Sequence, residues 1–288
     1  MKIVYVVLHY NVYKMTEECI ESIKKIKDIT SEIVVIDNNS VNDSGLLLEK
    51  NYLGEKDIHV IRNSENVGFA KGNNIGYRYA KNVLNANIIV DMNNDILIHQ
   101  NEFEDSLRSL ALSKNVAVIA PKIINRKNEN QNPMRKVRLT TRSLVKSLVY
   151  NTIYESCCHN QISYRLFKAV HTKRSERNFL KTEFERGEEY NVVPHGSCVI
   201  FLTEYINSTE FAFPPITFFY GEEDTLFDYL TIKRMKSMYT DKLMVYHMEK
   251  VSTNTISTKD MQGDLFKSKN MKLSIIATLK YRWFHHIL

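Results

Sequence analysis

The chain has 288 residues, 43% of them apolar, 10% aromatic and 25% charged, with nine glycines and five prolines. That composition excludes collagen-like, low-complexity and disulfide-framework proteins, and it leaves ample material for a folded core. Net charge is +6 and segregated: residues 122–190 hold 15 Lys/Arg against 7 Asp/Glu, and residues 265–288 carry five cations and no acid. Such segregation suits an anionic partner surface, nucleic acid or phospholipid headgroups, and a solvated face accounts for it about as well.

Residues 3–8 (IVYVVL) and 32–37 (EIVVID) are short, continuous, β-branched runs, the pattern of parallel strands covered on both faces. Between them Cys19, Ile20, Ile23 and Ile26 fall at helical spacing, with Thr16 as the expected N-cap. The rhythm continues with strands at 58–62, 87–91 and 116–120 and helices near 70–83 and 102–113. Alternating elements of this kind predict an α/β fold with a doubly wound, mostly parallel sheet flanked by helices. From Lys122 the rhythm breaks. A basic stretch leads to an amphipathic helical segment at 143–170, a charged piece at 171–190 and an apolar run at 192–202. A helix near 224–236, a strand at 243–247 and a basic tail complete the order. The tail reads either as a core-docking helix or as one lying in a membrane interface.

Four cysteines (Cys19, Cys157, Cys158, Cys198) form no CxxC pair, which fits a reduced, cytoplasmic compartment. The opening run is too short and polar for a signal peptide, and no run approaches the ~20 apolar residues of a spanning helix.

Ligands of an open α/β sheet bind beyond the carboxyl ends of its strands. The first strand runs into HYNVYK, with no GxGxxG and no Walker lysine, which argues against NAD enzymes and P-loop NTPases. The second ends in Asp37-Asn38-Asn39-Ser40, a turn that satisfies its own backbone or an Asp presented to a base or ribose. Gly68, Gly72 and Gly76 lie in a helical stretch, where each costs roughly 1 kcal/mol against Ala. A close approach to ligand or to a neighbouring strand would offset that cost. The strand at 87–91 runs into Asp91-Met92-Asn93-Asn94-Asp95, hard oxygen ligands suited to Mg or Mn, with Asp95 foremost. Glu222, Glu223 and Asp224 open a helix, more acids than a favourable dipole requires. His247 ends the next strand, where a lone His is more often packing than ligand.

In order, these pieces resemble the family 2 inverting glycosyltransferases of the GT-A fold, especially the rhamnosyltransferase-like branch of bacterial surface-polysaccharide synthesis. VVLHYN is similar to the family's opening strand, EIVVIDNNSVNDS to its nucleotide-binding segment, and NVGFAKGNNIG to its NxGFAxGNNxG signature. MNNDILI resembles the NxD form of its metal motif. PHGSCVIF, FFYGEEDTLFDYL and VYHMEKVST resemble the acceptor-side Gly segment, the catalytic ED motif and the late metal-binding His. The resemblance covers residues 3–120 and 192–256.

The resemblance implies a nucleotide-sugar site at Tyr10, Asp37, Asn39, Asn66, Gly68, Lys71, Asn73, Asn93 and Asn94, with Asp37 at the base. It implies Mn2+ or Mg2+ at Asp95 and His247, an acceptor side at His195, Gly196 and Glu222, and Asp224 as general base supported by Glu223. Asn93 stands where the classical motif has its first Asp, Thr225 where many relatives keep an acid, and Ser237 where a Gly usually ends the helix. The expected domains are a single GT-A unit over 1–264, with 122–190 as its acceptor or membrane side, and a basic tail over 265–288. Expected partners are a UDP- or dTDP-sugar, a lipid-linked or oligosaccharide acceptor, and the anionic inner face of the cell membrane. Nucleic acid is not among them, and homo-oligomerisation is left open. Two alternatives stand beside this reading. A sugar-phosphate nucleotidyltransferase would need a glycine-rich basic loop after the first strand, and a non-catalytic nucleic-acid or scaffold protein would use the basic insert alone.

Overall fold

The structure, a computed structural model, describes residues 1–175, 187–249 and 261–287. Strand and helix alternate through β1 (Ile3–His9), α1 (Tyr13–Lys24), β2 (Glu32–Asp37), α2 (Ser44–Asn51), β3 (Ile58–Arg62), α3 (Phe69–Asn82) and β4 (Ile88–Asn93). The short β5 (Ile96–Leu97), α4 (Phe103–Ser113) and β6 (Val118–Asn125) follow. Then come α5 (Thr141–Cys157), α6 (Gln161–Ser175), β7 (Glu188–Tyr190), β8 (Cys198–Phe201) and α7 (Thr203–Ser208). The chain continues through α8 (Glu222–Lys233), β9 (Ser237–His247) and α9 (Met261–Phe284).

The strands form one sheet in the order β3-β2-β1-β4-β8-β6-β9-β5, with β7 also on β9. Its first four strands are mutually parallel, as the continuous apolar runs predict. β8 runs antiparallel to both its neighbours, β4 and β6. It follows the α5–α6 excursion rather than a βαβ crossover, so the rule that fixes parallel direction does not act on it. Side chains alternate between two apolar layers. Cys19, Ile20 and Ile23 of α1 pack with Phe103 and Leu107 of α4 on one face, and Tyr77, Tyr205 and Leu226 of α3, α7 and α8 pack on the other.

The glycines of α3 are explained by close approach to strands. A Cβ at Gly72 would lie 2.8 Å from Leu8 Cδ1, and one at Gly76 would overlap Val6. Gly68 caps the helix at φ 82°, and the next residue, Phe69, donates its N–H to Phe218 O (2.8 Å). This contact pins the start of α3 to the loop that leads into α8.

Several expectations move. Thr16 is not the N-cap, which is Val12; it lies inside α1, buried, with its hydroxyl used by His9 and Asn94. The segment 143–170 is two helices, parted between Cys157 and Gln161. Within 192–202 only Cys198–Phe201 is strand, because the chain turns at Gly196 and Ser197, with the Cys198 N–H donating to His195 O (3.3 Å). α8 starts two residues early and ends at Lys233 before a left-handed Arg234 (φ 56°). The strand then begins at Ser237, which therefore ends no helix. Residues 176–186 of the charged piece, and 250–256 of the resemblance, lie outside the described residues.

The tail docks. α9 begins at Met261, so the expected division at 264 falls inside it. Ser268 Oγ donates to Asn151 O of α5 (2.8 Å), and Ser274 Oγ to Phe219 O (2.8 Å). Arg282 is fully buried; its Nε donates to Asp228 Oδ2 of α8 (2.6 Å) and its Nη1 to Leu139 O (2.6 Å). Arg138 holds the other Asp228 oxygen (3.2 Å). Among the described residues no helix is long and apolar enough to cross a membrane.

Candidate active site

The carboxyl ends of β2, β1 and β4 stand side by side, where Asp37 pairs in register with His9, and Leu8 with Asn93. Asp37 is buried; its Oδ1 accepts from the Ser40 N–H (3.0 Å) and hydroxyl (2.6 Å). Gly45 leaves the space its carboxylate occupies against the first turn of α2, where a Cβ would overlap it. Asn38 is the tie of this side. It donates to Asn66 Oδ1 and Gly68 O (3.1 Å each), and accepts from Asn63 Nδ2 (3.1 Å) and the Val67 N–H (3.2 Å). Asn11 and Asn39 both take left-handed backbones (φ 62° and 60°), and the Asn11 N–H donates to Ser40 Oγ (2.8 Å). The loops after β1 and β2 and before α3 are thus one hydrogen-bonded frame. Tyr10 is half-buried on it and Lys71 is exposed on the first turn of α3. Asn73 is buried, with neither end of its amide partnered.

Past β4 the carboxylates separate. Asp91 is not at the strand end: it shares the face of Ile89, is fully buried, and burial holds its carboxyl well above the usual range. Asn94 is turned inward, with Nδ2 on Thr16 Oγ1 (2.9 Å), away from the strand-end surface. Asp95 is placed by β5. Ile96 pairs with His247 of β9, the Met248 N–H donates to Asp95 O (2.9 Å), and Asp95 Oδ2 comes to 3.3 Å from His247 Nε2. Gln131 supports this pair. Its Nε2 donates to Glu249 Oε1 (2.6 Å), so its Oε1 faces His247 Nδ1 (2.7 Å) as an acceptor. A neutral His247 held this way would carry its proton on Nδ1 and offer the Nε2 lone pair on the side of the Asp95 carboxylate. Two acceptors facing one another in this way suit a divalent cation. Among the described residues no three His, Cys, Asp or Glu gather as a ligand set, so a cation there would draw its remaining oxygens from water or phosphate.

The acids of α8 face this pair across the turn before β8. His195 packs edge-on to His247 (ring centroids 6.0 Å) and is half-buried, and loss of hydration together with His247 pushes its pKa down to about 4. The next residue, Gly196, donates its N–H to Glu223 Oε1 (3.3 Å), and a Cβ there would lie 2.9 Å from that oxygen. Tyr220 and Gly221, both left-handed (φ 71° and 86°), turn the chain into the helix. Glu222 is buried and pushed up to about 8, by burial first and by the charge of Glu223 second. Glu223 is half-buried and is also raised, by burial and then by Asp224. Asp224 is buried and paired with Arg135 Nη2 (2.6 Å), while its Oδ1 has no hydrogen-bond partner.

Residues 5–174, more than half of the chain, match the family model of Glycosyl transferase family 2. The chain belongs to glycosyl transferase family 2. A hexosyltransferase of low-salt glycan biosynthesis, Agl10 of Haloferax volcanii, is 30% identical over 125 residues, 42% of this chain and 38% of that protein. S. aureus TarS 1–349 in complex with UDP-GlcNAc superposes with TM-score 0.53 at 17% identity, over 88% of this chain and 60% of that one. The mannosyltransferase PcManGT of Pyrobaculum calidifontis, with GDP-Man and Mn2+, gives 0.53 at 13% identity, over 97% and 74%. The chain therefore spans well under half of Agl10 and about 60% of TarS, and these structures establish a GT-A fold.

Within this family 2 frame the structure gathers Asp95, His247, His195, Gly196 and Glu223, and sets the frame of Asp37, Asn39, Asn66 and Gly68 beside them. It separates Asn94 and Asn73, both turned into the interior. Sequence reasoning missed Gln131, Arg135 and the central role of Asn38. The first two lie in the 122–190 insert, which carries no motif; an Arg facing an acidic helix start is visible only in three dimensions. The four-bond geometry of Asn38 left no mark beyond a turn-forming DNNS.

Proposed function

We propose that this chain transfers a sugar from a nucleoside-diphosphate donor to a hydroxyl acceptor, with inversion, and that Glu223 is the general base. The observation that carries the reading is the approach of Asp95 to His247 at a strand end, with Glu223 held across the His195–Gly196 turn. Asp37, Asn39, Asn66, Gly68, Tyr10, Lys71 and Asn93 would frame the nucleotide and sugar. A divalent cation, Mn2+ or Mg2+, held by Asp95 and His247 would neutralise the departing diphosphate. Glu223 would take the proton of the acceptor hydroxyl as its oxygen bonds to the anomeric carbon from the face opposite the diphosphate. One displacement breaks the bond to the leaving group and inverts the carbon.

This assignment exchanges the two roles implied by the resemblance. Asp224 is buried and paired with Arg135, which occupies one of its oxygens and fixes its direction. Glu223 is the acid of the three with access to solvent, and its proton affinity is raised. Asp224 would instead hold Arg135, and Glu222 would shape the acceptor side. The acceptor is proposed to be a lipid-linked glycan of capsule or cell-surface polysaccharide synthesis at the inner membrane face. Residues 1–264 together with the rest of α9 are proposed to act as one catalytic domain.

The deciding experiment is thermal melting with UDP, dTDP, GDP, CMP and ADP, each with and without Mn2+. A ligand bound only by the native state gives about 2.7 kcal/mol at a hundredfold excess over its Kd. Stabilisation by UDP or dTDP that EDTA removes, and that Asp95→Ala and His247→Ala both lose, supports the site. No shift with any nucleotide would defeat the reading.

A further inference from the structure

The α5–α6 helix pair carries a surface that the proposed reaction does not use. Along α5 the exposed positions are 142, 143, 145, 146, 149, 152, 153 and 156, and all but 143 share one helical face. Val145, Val149 and Ile153 form its apolar stripe, and Ile162 and Leu166 continue the pattern on the exposed side of α6; the five are 45 to 73% exposed. Interleaved with them are the exposed cations Arg142, Lys146 and Arg165. Glu155 is the single acid in the two helices, and it is turned away, onto Lys272 of α9. Asp264 of α9 is likewise consumed, by Tyr154, Tyr164 and Lys168. Both neighbouring carboxylates are thus spent on holding the three helices together, and the outward faces are apolar and cationic with no acid.

A second observation adds an aromatic edge. The buried Arg282, bonded to Leu139 O, fixes the end of α9 beside the start of α5. The next residue, Trp283, the single tryptophan of the chain, is 68% exposed.

We infer that the outward face of α5 and α6, with Trp283 at its edge, is the surface by which this protein lies on an anionic phospholipid bilayer. An apolar stripe flanked by cations inserts to the headgroup–acyl boundary while its charges meet lipid phosphates. Tryptophan favours that same boundary. A second copy of the chain would oppose cation to cation across the stripe, and a nucleic acid would gain nothing from its valines and isoleucines. The surface rests on the proposed lipid-linked acceptor for its purpose, not for its binding chemistry, so the two are tested separately.

The test is flotation of the full chain with vesicles of phosphatidylcholine alone, or of phosphatidylcholine and phosphatidylglycerol in equal parts, while Trp283 emission is followed. The expected result is binding to the anionic vesicles only, with a blue shift of Trp283. Arg142→Glu/Lys146→Glu should lower the partition coefficient at least about tenfold. Val149→Ser/Ile153→Ser should lower it severalfold and make what remains fully salt-reversible. Both variants should keep the wild-type melting shift with nucleotide and Mn2+, which separates loss of this surface from loss of the donor site. Should the charge-reversed variant melt early, the serine variant, altered at exposed positions alone, decides. Wild-type protein left unbound by anionic vesicles, an unshifted Trp283, or serine-variant binding equal to wild type overturns the inference. So does a wild-type dimer that the serine variant breaks, since a second copy would then own the face.

Discussion

The two sides of the candidate site are held in opposite ways. On the nucleotide side Asn38 satisfies four hydrogen bonds, Asp37 takes two from Ser40, and Asn11 ties one loop to the next. On the reacting side three carboxylates crowd one helix start, two with raised proton affinity, and Asp224 Oδ1 and Ser197 Oγ lack partners. Satisfied polar networks are rigid and stabilising, whereas crowded, under-bonded ones store strain that a ligand relieves. One side is thus built as a frame and the other as a working edge.

Substitutions should therefore divide into those that cost activity and those that cost stability. The largest effect is expected at Glu223. Glu223→Gln should lower kcat by about 10²–10⁴, the usual contribution of a general base, with nucleotide affinity and melting temperature held or raised. Asp224→Asn should lose only about tenfold if its work is to hold Arg135; a reversed ranking of the two variants would return the base to Asp224. Next in size, Asn38→Ala should destabilise the protein by roughly 2–4 kcal/mol, about 1 kcal/mol for each lost hydrogen bond, measured by urea unfolding. Its transfer rate at saturating donor should change less than its stability. A stable Asn38→Ala protein would remove the contrast altogether.

Gly196→Ala tests the contact between the two sides. The new Cβ would push Glu223 Oε1 from its seat, so kcat should fall roughly tenfold with donor Kd unchanged in calorimetric titration. The smallest effect is a slope. Glu222 is raised from about 4.5 to about 8, so the folded state binds the extra proton between those values. Stability from this group is full below pH 4.5 and lost as pH rises to 8. His9 and His195, both lowered to about 4, act in the opposite sense below pH 6.5, which leaves pH 6.5–8 as the window free of the two histidines. There stability, read from the melting temperature, should fall as pH rises, with Glu222 supplying up to roughly 1.4 kcal/mol per unit beside the raised carboxyls of Asp91 and Glu223, and Glu222→Gln should make that slope shallower.

The frame was far more legible in the sequence than the edge. Continuous runs such as IVYVVL and EIVVID announce buried parallel strands, and the helix over 70–83 survives its glycines because β1 passes so close. Local pattern failed where long-range contact decides. Thr16 looks like a cap, and its hydroxyl is instead claimed by His9 and Asn94, the latter 78 residues away. The tail has both the charge of a membrane helix and the small polar residues of a docking one, and the buried Arg282 on Asp228 resolves that choice. Which acid of Glu222-Glu223-Asp224 does which work depends on Gly196 and Arg135, both distant in sequence, so no spacing rule could rank them.

The clamp on Asp228 also has a schedule. Arg282 lies 54 residues after the aspartate it neutralises and 143 after Leu139, whose carbonyl it also binds. In a chain made from its amino end forward, the whole sheet is available before that guanidinium emerges. Until then Asp228 has Arg138 alone to offset its burial, and the helix that carries the three acids is seated on one side only. The reacting edge is therefore sealed only after the sheet has been made. A ribosome stalled ahead of residue 282 would present a nascent sheet with an unsealed α8, a species for chaperones and proteases to recognise.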